Sequence, residues 1–168
     1  MSRVKYINNI PFGNFFFSGS VAATTSVLTK GCSILIPANT FTDNDVFKIV
    51  TSSYNSSGTF AWSTNFYWNT GNTITGAIQI SQGFAIGGTE YMQHSRTFKI
   101  LDKTGTGGGT LGVSTGQDDP NEYRSFNASL VPFESYAINW TVDSYLMVGF
   151  FGTTAQNIRN AFLKIYTF

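Results

Sequence analysis

The sequence predicts an all-β domain, an antiparallel sandwich or barrel of about eight strands, and three observations carry that reading. The first is composition: of 168 residues, Ser (17), Thr (21) and Asn (14) supply 52 and Gly adds 17, while 16% are aromatic and only 11% are charged. Small polar, β-branched and aromatic residues suit pleated strands and tight turns, and strong helix formers are thin. The second is a strict period of two: Phe60, Trp62, Thr64, Phe66 and Trp68 alternate with Ala61, Ser63, Asn65, Tyr67 and Asn69, which gives one strand with a core face. The third is turn chemistry every 8–15 residues, with no segment longer than a turn or two that reads as an amphipathic helix.

Residues 1–25 differ from the rest. Tyr6, Phe12, Phe15, Phe16 and Phe17 crowd among Pro11, Gly13 and Gly19 without a clean period, so the segment reads as an irregular arm. Its aromatics make it a candidate docking element for a partner; the competing reading is an extra edge strand over an apolar face. From Ser26 onward the chain reads as one domain, residues 26–168. Cys32 to Ile36 is a strand stopped by Pro37, which cannot donate to a ladder. Asp45 to Thr51 follows through the polar turn Thr42-Asp-Asn44. After the alternating strand, Asn69-Thr-Gly-Asn72 supplies a turn and Ile74 to Ile80 returns as its hairpin partner. A loop around Gly83 to Gly88 leads to residues 95–101, with Arg96, Phe98 and Ile100 on one side. Lys103 to Thr110 is a glycine-rich connection. Tyr123–Leu130, Ser135–Thr141, Tyr145–Phe151 and Ala161–Phe168 complete the strands, with Thr153 to Asn160 as a loop or one helical turn.

Composition also excludes function classes. A net charge of +1 with scattered basic residues gives no electrostatic footprint for nucleic acid or for an anionic membrane surface. Apolar runs are too short to span a bilayer. One Cys (Cys32) and one His (His94) make neither an intrachain disulfide nor a zinc site of the usual spacing. Without a secretory signal pattern, the chain is expected to be made and kept in a cytosol.

The chemistry-bearing patterns are sparse. Gly105 to Gly109 lacks the Lys-Ser/Thr that completes a phosphate loop, and reads as a hairpin loop. His94 has no nucleophile elbow to serve and reads as a surface or edge-strand residue. Asp118, Asp119 and Glu122, like Asp43 and Asp45, could offer oxygens to calcium, but neither group has the glycine and terminal Glu of an EF-hand loop; both read as solvated turns. The Asn-x-Ser/Thr triplets at Asn55, Asn127 and Asn139 are expected by chance in so polar a chain. No catalytic residue, metal ligand or cofactor is assigned. Trp62, Trp68 and Trp140 read as core, whereas Tyr54, Tyr91 and Tyr123 lie near loops and are the candidate sugar contacts.

Ile36-Pro-Ala-Asn-Thr-Phe41 followed by Asp45-Val-Phe-Lys-Ile49, then Phe66-Tyr-Trp-Asn-Thr-Gly-Asn-Thr-Ile-Thr-Gly-Ala77 and Arg96-Thr-Phe98, resemble the β-sandwich domains of tailed-bacteriophage virion proteins. Such domains occur in head fibres, capsid decorations and distal tail fibres, including those of crAss-like phages. The resemblance spans roughly Ser26 to Phe168 and implies a jelly-roll sandwich, a homotrimer about a threefold axis and a non-enzymatic structural role in the virion, after synthesis in the host bacterial cytoplasm. Relatives used as fibre tips often carry a long shaft; here about 25 residues precede the domain. The expectation is therefore a compact knob held by its arm to another virion protein, whether capsid, neck or fibre. A receptor- or glycan-binding module on the host surface is the alternative function of the same fold.

Overall fold

Strand-forming sequence organises almost everything the computed structural model describes, namely residues 6–7, 10–11, 20–23, 27–56, 62–85, 91–104, 111–113, 136–152 and 156–167. The strands are β1 (Tyr6–Ile7), β2 (Ile10–Pro11), β3 (Ser20–Ala23), β4 (Thr29–Ile36), β5 (Val46–Asn55), β6 (Trp62–Asn69), β7 (Ile78–Ala85), β8 (Tyr91–Ile100), β9 (Leu111–Val113), β10 (Ser144–Gly152) and β11 (Gln156–Thr167). Among the described residues there is no helix. Two antiparallel sheets result, ordered β4-β10-β6-β7 and β3-β11-β5-β8-β9, beside the short β1-β2 pair. Ser20–Ala23, within the segment read as the arm, pairs with Gln156–Arg159 at the edge of the larger sheet.

The two sheets share one core, a β-sandwich arrangement. Alternation in β6 turns Trp62, Phe66 and Trp68 inward, and β5 and β8 oppose them with Phe47, Ile49, Met92, Phe98 and Ile100. Contacts between rings bridge the sheets: Phe66 stacks on His94 at 4.6 Å, and Trp140 lies 4.3 Å from Trp68 and 5.8 Å from Phe47. Aromatic pairs at such spacing add about 0.5–1.5 kcal/mol each beyond area burial. The Ile36–Phe41 turn belongs to this core. β4 ends before Pro37 as expected, Asn39 takes a left-handed φ of 59°, and Phe41 stacks on Phe47 at 4.7 Å.

Several expected elements differ. Residues 136–142 form no ladder: Trp140 N–H donates to Lys103 O (3.0 Å), Asn39 N–H donates to Trp140 O (2.8 Å), and the segment plugs the core with Ile138 and Trp140. The return strand after β6 starts at Ile78 rather than Ile74, and β7 runs through Gly83 to Ala85. Gln156–Asn160 is strand rather than loop or helical turn. Tyr123–Leu130 lies outside the described residues.

The freed stretch 70–77 folds back over the outward face of the smaller sheet. Lys30 Nζ donates to Asn72 O (3.0 Å) and to Asn72 Oδ1 (2.7 Å). Gly149 of β10 lies beneath Ile74 and Tyr67, and an added Cβ there would sit 2.5 Å from Ile74 Cδ1 and 2.6 Å from Tyr67 Cε2. Only the missing side chain lets that layer close. Tyr67, Asn65 and Ser63 are buried on this face, with Asn65 Nδ2 donating to Tyr67 Oη (3.3 Å) and Tyr67 Oη donating to Gln79 Oε1 (3.0 Å). Burial pushes the Tyr67 phenol up, against the opposing hydrogen bond from Asn65.

Candidate functional site

Three places hold side chains with chemistry to offer. The first is interior. His94 points inward from β8, fully buried, and its Nε2 lies 3.0 Å from Ser81 Oγ on the facing β7. The expectation of a surface or edge-strand imidazole is therefore corrected: the alternation that faces Met92, Arg96 and Phe98 inward takes His94 with them. A hydroxyl and imidazole at this spacing have the geometry of a nucleophile and its base. Here, however, Phe66 covers the ring and both residues are buried between the sheets, where no substrate can approach. Ser53 Oγ and Thr64 Oγ1, also buried, lack hydrogen-bond partners among the described residues. The His94–Ser81 pair satisfies its own two polar atoms inside the core. Cys32 is buried as well, and desolvation pushes its thiol up to about 12, so it is no nucleophile at neutral pH.

The second is a cleft of about 210 Å³ lined by Trp68, Asn69, Gly76, Ile78, Ile138 and Ser144. Ligand pockets usually exceed about 300 Å³. The Asn69 amide is committed to the loop it borders, donating to Thr73 O (2.8 Å) and Thr75 O (3.3 Å).

The third is the outward face of the larger sheet. Register places Tyr54 of β5 opposite Tyr91 of β8 on one side and opposite Arg159 of β11 on the other. Alternation turns all three away from the core, where inward neighbours such as Ile158 and Met92 are buried. Tyr54 is 42% and Tyr91 51% exposed, and Arg159 is also exposed. The middle of the face, at Val50, Ser52 and Ser95, is buried, so this row forms an accessible end. No side-chain hydrogen bond or ion pair engages the two phenols or the guanidinium among the described residues. Two of the three sugar-contact candidates are thus brought together, with an arginine beside them from a segment expected as a loop or one helical turn. Tyr123 lies outside the described residues. So do Phe12, Phe15, Phe16 and Phe17; Tyr6 begins β1, and its side chain is not described.

Among the described residues no group of three or more His, Cys, Asp or Glu could hold a metal ion, and no helix is long and apolar enough to cross a membrane. Comparison with family models, with curated proteins and with solved structures gave no match.

Proposed function

We propose that this chain is a non-enzymatic structural component of a tailed-bacteriophage virion: a jelly-roll knob, homotrimeric, that docks through residues 1–25 to a capsid, neck or fibre protein. It needs no cofactor. The observation that carries the reading is connectivity. Strands β3-β11-β5-β8 face β4-β10-β6-β7, the order of an eight-stranded jelly roll built from two Greek keys, with β9 added at one edge. Further support comes from the motif that carries the virion resemblance, since Phe41 of the Ile36–Phe41 turn and Phe47 of the following strand form one stacked unit. A low charged fraction with a high aromatic load suits a chain that buries surface against copies of itself. Sedimentation of the purified chain at micromolar concentration is the test. A species of three times the protomer mass is expected, and a monomer contradicts the trimer.

A second reading, a glycan- or receptor-binding module, is favoured by the exposed Tyr54–Tyr91 pair and is compatible with the same scaffold. Both rings have a face or edge to offer a sugar, and a rigid sheet holds them.

A further inference from the structure

We infer that the row Arg159–Tyr54–Tyr91 is a subsite for an acidic saccharide, in which Tyr54 and Tyr91 pack against sugar rings and Arg159 takes the carboxylate. The inference rests on the carbohydrate reading and adds the chemical class of the ligand.

Geometry makes the row one site. Its three residues stand directly opposite one another on adjacent strands, and at about 4.8 Å per strand the backbone positions span about 10 Å. Aromatic π-faces carry partial negative charge and attract the weakly positive C–H faces of a pyranose. Two such rings side by side offer a platform longer than one sugar. At its end the Arg159 guanidinium presents a planar fork of donors that matches a carboxylate with two parallel hydrogen bonds. Neither the phenols nor the guanidinium is committed elsewhere among the described residues.

Charge sets the sign of the ligand. Lys48, Lys99 and Lys164 stand on the same outward face as Arg159. The described carboxylates sit elsewhere: Asp43, Asp45, Asp102 and Asp143 flank strand ends and accept hydrogen bonds from Lys103 N, Thr42 N, Thr104 N and Ala38 N. Four of the seven described cations, Lys48, Lys99, Arg159 and Lys164, thus share one sheet face and the described acids lie off it, while Lys30 stands on the smaller sheet, Lys103 in a turn and Arg96 in the core. Register puts Lys48 and Lys99 several residues along their strands from Tyr54 and Tyr91, roughly 20 Å or more away and beyond the screening length of about 8 Å. The charge at the exposed end is therefore that of Arg159, which favours an anion there.

The test uses the full chain on an array of sialylated oligosaccharides beside their desialylated counterparts, followed by titration of the best pair. Preference for the sialylated member by tenfold or more is expected. Arg159→Met, which keeps an apolar stem, should remove that preference, a loss on the order of ten- to a hundredfold, while leaving neutral binding intact. Tyr54→Ala and Tyr91→Ala should abolish both. Each variant is outward-facing, and an unchanged melting temperature verifies its fold. Equal binding of sialylated and neutral members overturns the acidic subsite but leaves the carbohydrate reading standing. No saccharide binding overturns both; if Tyr54→Ala then also lowers the sedimenting mass, the row is a contact between copies of the chain.

Discussion

Replacing Gly149 by Ala probes the layer that closes over the smaller sheet. The new methyl would stand 2.5 Å from Ile74 Cδ1 and 2.6 and 2.9 Å from two Tyr67 ring carbons, against an optimum carbon–carbon separation of about 3.5–4.0 Å. Ile74 can swing its terminal methyl away. Tyr67 cannot move as easily, because its ring is buried and its hydroxyl is held between Asn65 and Gln79. Overpacking of this kind costs about 1–3 kcal/mol, and a weakened hydrogen bond adds about 0.5–1.5 kcal/mol. The reduced freedom of Ala in the unfolded chain offsets about 0.4–1 kcal/mol. The net loss is about 1–3 kcal/mol, or about 3–10 °C in melting temperature for a chain of this length. Calorimetry on three variants makes the test specific. Gly71→Ala meets nothing closer than Thr73 Cγ2 at 3.6 Å and should be neutral or slightly stabilising. Gly76→Ala has open space but a φ of +74° and should lose about 1 kcal/mol through the backbone alone. A Gly149→Ala protein that melts at or above the parent temperature would refute the covering of β10 by Tyr67 and the 70–77 loop.

Trp68→Ala should destabilise by about 3 kcal/mol, the low end of the usual range for a buried aromatic, because one edge of the indole lines the cleft and water can enter the void; melting within a degree of the parent would contradict its packing on Trp140. The native Cys32 thiol should resist thiol reagents at pH 8 and react on unfolding. Because its folded value is raised from 9.0 to about 12, the stabilising contribution is complete below pH 9 and falls as pH rises toward 12, by up to about 1.4 kcal/mol per pH unit. Tyr67 acts in the same direction around and above its ordinary value of 10.0, so Cys32→Ala should flatten the slope that begins near pH 9. Deleting residues 2–18, which spares β3, should leave a folded domain that no longer incorporates into particles; loss of folding instead would move the docking surface elsewhere.

Where periodicity alone decides, the fold was legible. β4, β5, β6 and β8 overlap the segments that alternation and Pro37 marked, although β5 runs on to Asn55 and β8 starts at Tyr91 rather than Ser95, and Arg96, Phe98 and Ile100 share the inward face. Alternation marked only one face of β6 as core, yet Ser63, Asn65 and Tyr67 on the other face are buried as well. A loop folding back from residue 70 leaves no mark on a period of two. Tyr136, Ile138 and Trp140 show the converse: an extended plug presents every second side chain as a strand does, and only its hydrogen bonds to Lys103 and Asn39 tell them apart. The candidate site was half visible. Tyr54 and Tyr91 were selected as loop-proximal aromatics, but pairing across strands 37 residues apart in sequence is a property of register. Arg159 was missed because Gln156 to Asn160 carries one apolar residue, Ile158, too few to signal a strand.

Cryo-electron microscopy of whole particles that carry this chain tests the virion knob most directly. The predicted density shows three copies about a threefold axis, with the part of residues 1–25 that precedes β3 seated against a neighbouring virion protein and the Tyr54–Tyr91 row facing outward. Particles that hold the chain as single copies, or without contact through the residues that precede β3, would contradict the proposed role.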